Sequence, residues 1–287
     1  MRTLLSLAAA LCLAAPLPAQ QAEVVVTARN KEVRTVLRTV LRTSGYNQLG
    51  RFEGPVCPGV SGAPRGFGLT LLKLIRANAE RAGIDLEKPG CKPTALVLFI
   101  GDPNALVTRL HAKMPGYFGE ITPQDLATLS TGDAAIRSWH VVKTVGRDGE
   151  ELAEMESFNG QVVGKGVKVV RNAAATRTYE NTRQDMTLGF AVLDNDAIVG
   201  KTLQQLADIA TMHLFLDIGA SAGADAGPGS ILSLFEARAA DVPVPTGLGG
   251  FDWGALSGTY RARQNNYRAT VQRGRIAKAI KKAEAGD

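Results

Sequence analysis

Histidine is scarce in this chain, and so is cysteine: there are three of each in 287 residues. The histidines stand at His111, His140 and His213. A zinc-protease helix needs two imidazoles one turn apart on one face, with a glutamate base between them. If His213 were the second of such a pair, Ile209 would hold the first place and Ala210 the base. If it were the first, Leu214 would be the base and Asp217 the second ligand. Neither register supplies that chemistry. The chain also lacks a dinucleotide fingerprint. GQVVGKG, from Gly160 to Gly166, is one residue short of a phosphate loop between its glycines, and no Ser or Thr follows Lys165. It reads as a hairpin turn. After the N-terminus no apolar run is long enough for a membrane helix. No motif asks for a metal or a cofactor.

What is present begins with a signal. Arg2 gives a short positive segment, and Leu4 to Ala15 is an apolar stretch too short to span a bilayer. Cleavage is expected after Ala19, although Leu17 is large for that site. A lipid anchor on Cys12 is disfavoured, because Leu11 is bulky and Cys12 lies inside the apolar stretch. The mature chain is therefore expected to be exported, to the periplasm or beyond. It keeps two cysteines, Cys57 and Cys91. In an oxidising compartment an even count favours a disulfide over two buried thiols.

The net charge of +6 is uneven: Arg261 to Asp287 holds eight Lys/Arg against two Asp/Glu, and the rest is balanced. Tyr260 and Tyr267 stand among these arginines, a pattern that a nucleic-acid patch shares. For an exported chain the partner classes are instead an envelope protein or an anionic envelope component, lipid or polysaccharide. A solvated helix face is the plainer reading.

Periodicity gives the outline. KEVRTVLRTVLRT, Lys31 to Thr43, is an amphipathic helix that packs on the body or touches anionic lipid. Leu69 to Ala82 is a helix stopped by Gly83. ALVLFI, Ala95 to Ile100, reads as a strand covered on both faces. Asp102-Pro103 and Thr122-Pro123 begin helices. IRSWHVVKT, Ile136 to Thr144, alternates as a strand, and Met186 to Leu193 is another. Between them lies a polar stretch with a hairpin around Gln161 to Val170. From Thr202 the chain is mostly helical: Thr202 to Ile218, Ser230 to Arg238, Trp253 to Arg263 capped by Asp252, and Asn265 to Ala283. Gly254 and Gly258 sit awkwardly inside the third of these. The organisation is a signal at 1–19, an N-terminal segment at 20–48, a body at 49–260 and a basic helix at 261–287. The class is α+β, with helices on a mixed sheet and a helical C-terminal third.

Four residues are candidates for function: His213, Asp217, Asp208 and His140. His213 and Asp217 are four apart and can face one ligand or simply share a hydrogen bond at a helix end. Gly219 to Gly223, GASAG, matches the gly-x-ser-x-gly pattern, but a helix enters it and no histidine follows Ser221. It reads as a flexible loop.

RFEGPVCPGVSG, GCKPTALVLFIGD, PGYFGEI, IRSWHVV, LADIATMHLFLDI and SILSLFEA together resemble a family of exported proteobacterial proteins without an assigned activity. The resemblance covers Arg51 to the C-terminus. It implies location and fold rather than a reaction. A fainter similarity is to zincin-like lipoprotein-type domains, in which a his-glu helix follows the sheet. It implies a protease-like topology here without the metal ligands. Three functions follow: a non-catalytic envelope-binding protein, a hydrolase assembled only in three dimensions, or a polyanion binder that uses the basic tail.

Overall fold

A computed structural model describes residues 32–158, 161–170, 173, 179–236 and 243–286. The signal reading and the region before residue 32 lie outside them. The fold is α+β. Its centre is a four-stranded mixed sheet in the order β1 (Pro58–Ser61), β2 (Ala95–Ile100), β6 (Thr182–Asp194), β3 (Ile136–Gly146). β1, β2 and β6 are parallel, and β3 closes one side antiparallel to β6, with His140 opposite Gly189. β4 (Ala153–Phe158) and β5 (Gln161–Val169) form a separate hairpin.

β2 shows why an unbroken apolar run suits an inner strand. Ala95, Val97 and Phe99 enter the main core, while Leu96, Leu98 and Ile100 face a second, smaller one. The main core is covered by α2 (Arg65–Ala82) and α5 (Leu203–Phe215). On the opposite face lie α3 (Pro103–Lys113) and α4 (Pro123–Thr131). There Trp139 stacks between Phe118 and Phe190, with ring centroids 4.9 Å apart on both sides.

Local signals set the helix ends. Asp102 accepts from Ala105 N at 2.9 Å, and Thr122 Oγ1 accepts from Asp125 N at 3.1 Å. Thr202 and Gln205 form a reciprocal capping box at the start of α5. Gly83 ends α2 at φ +86°, where its N–H reaches back to the last turn.

Both ends of the described chain pack on the body. α1 (residues 32–40) buries Leu37 and Val40 and leaves Arg34 and Arg38 exposed. α8 (Ala269–Glu284) lies against α7 (Gly250–Tyr260) and puts Ile276 and Ile280 into the main core. Two side chains of α8 tie the termini together. Gln272 accepts from Leu49 N at 2.7 Å, and Arg273 donates to the carbonyls of Leu37 and Leu41 at the end of α1.

Four expectations need correction. Among the described residues of GQVVGKG there is no turn: Gln161 to Gly166 belong to the strand β5, and its partner is β4. The helix expected over Ser230 to Arg238 is a 3-10 turn, Ile231–Phe235, among the described residues. Asp252 does not cap α7 from outside. It is the third residue of the helix and accepts from Gly249 N at 2.8 Å. α5 stops at Phe215 rather than Ile218, because the departing chain pairs with the end of α1: Arg42 N donates to Asp217 O at 2.8 Å.

Candidate functional site

The sheet ends at β3, and a cleft runs along that edge. One part, about 380 Å³, lies beside Ala134 to Ser138 and is walled by α4, His213 and the Gly219–Gly223 segment. The other, about 360 Å³, lies beside Trp139 to Thr144 and holds His140 and Asp217. Arg42 and Asp125 line both parts. Their ion pair, 3.0 Å, stands between them.

Period-two alternation puts Ser138 and His140 on the face of β3 that meets α5. Ser138 Oγ lies 2.8 Å from His213 Nδ1, and either group can donate. His140 Nε2 donates to Leu214 O at 2.9 Å, so in the neutral ring Nδ1 carries the lone pair. That Nδ1 is shut off from solvent and has no hydrogen-bond partner among the described residues. Burial, and secondarily repulsion from His140, drives His213 down to about 3. Burial also lowers His140, although Asp217 works the other way. Both rings are neutral at pH 7.

Asp217 is not free to serve a histidine. Arg42 Nε donates to it at 3.0 Å, and Arg42 Nη1 donates to Asp125. Burial opposes the charge on Arg42, but the two carboxylates outweigh it and raise its pKa. Asp208, the fourth candidate, is elsewhere. Five residues before His213, it points about 140° away around α5. It accepts from Asn78 Nδ2 and Gln204 Nε2, both at 2.7 Å, and from Leu248 N at 3.0 Å. Burial raises its pKa. It is a tie between α2, α5 and a loop.

Three of the four sequence candidates therefore meet at one cleft, and Asp208 does not. The sequence reading missed Ser138, Arg42 and Asp125. Ser138 had a signal, since it is two residues before His140 on an alternating strand. Arg42 did not, being one of several arginines in an amphipathic helix. The GASAG segment leaves α5 as a loop, Gly219 to Ser221, and its last two residues open a short helix, α6 (Ala222–Ala226). The segment forms a wall of the cleft, and Ser221 Oγ donates to Asp225 at 2.8 Å. His111 packs edge-on against Phe118.

Among the described residues, no three His, Cys, Asp or Glu are grouped to hold a metal ion, and no helix is long and apolar enough to cross a membrane. Cys57 and Cys91 form a disulfide. The chain matches no protein-family model, no curated protein and no solved structure.

Proposed function

We propose that this is an exported, non-catalytic binding protein that receives an extended segment of an envelope protein in the cleft along β3. The observation that supports it is the pair of contiguous pockets on the outer side of an edge strand. An edge strand offers main-chain donors and acceptors to an added strand, and pockets beside it select side chains. Three charged groups of the cleft, Arg42, Asp125 and Asp217, are already engaged with one another, as suits a surface that binds rather than reacts. Export rests on the N-terminal signal pattern, and the disulfide is consistent with it. The test is selection from a random peptide library, followed by amide shifts and hydrogen exchange on the mature protein. Enriched peptides are expected to perturb and protect Ile136 to Thr144, and to lose binding when Ala134→Trp fills the first pocket. Failure to enrich any peptide, or shifts that map elsewhere, would sink the proposal.

A second reading is a hydrolase. Ser138 Oγ stands 2.8 Å from an imidazole nitrogen inside a cleft, as a serine nucleophile and its base do. It ranks behind the first because a ring driven to about 3 is a weak proton acceptor, and because Arg42 holds the carboxylate that could orient it. A fluorophosphonate probe decides. Labelling abolished by Ser138→Ala favours the hydrolase; absence of labelling removes it.

A further inference from the structure

A second concave site lies on the far helical layer. It has a volume of about 820 Å³ and is lined by α7, α8 and the end of α2. Four of its lining residues are cations, Arg81, Arg261, Arg275 and Lys282, and none is a carboxylate. Among the described residues none of the four has an ion-pair partner. Helix ends account for two of the positions. Arg81 is in the last turn of α2 and Arg261 follows α7, where a cation meets the negative end of a helix dipole. This does not explain why they converge with Arg275 and Lys282, since like charges brought together repel.

Three of the four are also held in place, each by a neutral group. Arg81 lies over the Trp253 ring, 3.9 Å from its centroid. Arg275 lies over Tyr267 at 3.7 Å. Arg261 Nη2 donates to the carbonyl of Arg81 at 2.7 Å. Ring and carbonyl contacts restrict the side chains without cancelling their charge, which lowers the ordering cost of binding an anion.

We propose that this groove binds a soluble polyanion bearing several phosphate groups. Guanidinium forks match phosphate oxygens in pairs, and the cavity is larger than one phosphate fills. A membrane surface fits less well. Trp253 is the large apolar side chain that lines the groove, and it is half-buried with Arg81 over its ring; the exposed ones, which include Leu69, Met114, Tyr117 and Val199, lie outside the groove and supply no anchor there. The proposal does not depend on the β3 cleft.

The experiment is calorimetric titration of the mature chain with tripolyphosphate at low and physiological salt. One-site binding that weakens with added salt is expected. Arg275→Gln and Lys282→Gln should each weaken it about tenfold. Lys278→Gln removes the same charge from α8 outside the groove and should stay within about twofold. Circular dichroism checks that each variant is folded. Three results overturn the proposal: no binding of tripolyphosphate, an equal loss from Lys278→Gln, or binding confined to phosphatidylglycerol vesicles, which would assign the cations to a membrane surface.

Discussion

His213 and His140 are held by the same two elements in alternate steps. Ser138 on β3 meets the His213 ring on α5, and two residues along β3 the His140 ring donates to Leu214 O, the very next residue of α5. Consecutive residues of a helix end are thus fastened to alternate residues of the edge strand. The contact keeps the last turn of α5 against the strand that borders the cleft. It makes both histidines structural in the first instance, whatever the cleft binds.

That arrangement fixes an acid sensitivity. His213 has a folded pKa of about 3, below its value in the unfolded chain. Its contribution is therefore complete above about pH 6.5 and is lost as pH falls towards the folded value. Between pH 6.5 and 4 the loss is about 3 kcal/mol for this residue. His140 acts in the same direction. His213→Asn, which keeps a hydrogen-bonding group near Ser138 but does not titrate, should flatten the rise of stability with pH. Urea midpoints from pH 4 to 7 measure this; an unchanged slope would show that His213 is not buried as a neutral ring.

Asp252 pushes the other way. It is fully buried and accepts from Ser230 Oγ, Ile231 N and Gly249 N, yet burial raises its pKa to about 6. A carboxyl raised on folding holds its proton in the native state. Its effect is that stability falls as pH rises from about 4 to 6, by roughly 2 kcal/mol. The same urea series on Asp252→Asn should therefore show a steeper rise with pH than the parent, opposite to His213→Asn. It should also be less stable throughout, since one amide oxygen must replace two acceptors. A slope equal to the parent's would mean that Asp252 is ionised throughout the window.

Much of this architecture was readable residue by residue. ALVLFI announced an inner strand because it is apolar on both faces, and Gly83 announced a helix end because glycine readily takes the positive φ that such an end needs. The two Pro-initiated helices were equally plain. What misled were signals with two meanings. Asp252 looked like a cap, yet it serves the cap from the third position. SILSLF has the apolar content of a helix, but Ser230 and a buried 3-10 turn claim it. The cleft was only half legible. His213 and Ser138 are 75 residues apart, and nothing local to either names the other.

Cys57 enters β1 and Cys91 precedes β2, so the disulfide closes a loop that contains α2 and is 34 residues long by separation. Loop closure of that length stabilises by about 4 kcal/mol in the chain-entropy account. The Cys57→Ser/Cys91→Ser variant should lose most of this in urea unfolding, and the reduced parent should match it. A loss under about 1 kcal/mol would mean that the unfolded chain already holds the two ends together.

Gly254 and Gly258 weaken α7 as a helix but let α8 approach it. A Cβ on Gly254 would fall 2.2 Å from Ile280 Cα, and one on Gly258 would fall 2.9 Å from Ile276 Cα. Both neighbours are backbone, so neither can turn aside. Alanine at Gly254 gains about 1 kcal/mol in helix propensity, and overpacking costs about 1–3 kcal/mol or more. At a 2.2 Å separation from main chain the second effect should win. Gly254→Ala is expected to lower stability by about 2 kcal/mol, with a smaller loss for Gly258→Ala, whose overlap is slighter. Thermal unfolding of the two variants checks both the sign and the order. A stabilised Gly254→Ala would mean that α8 does not lie this close to α7, and it would remove the wall on which the basic groove depends.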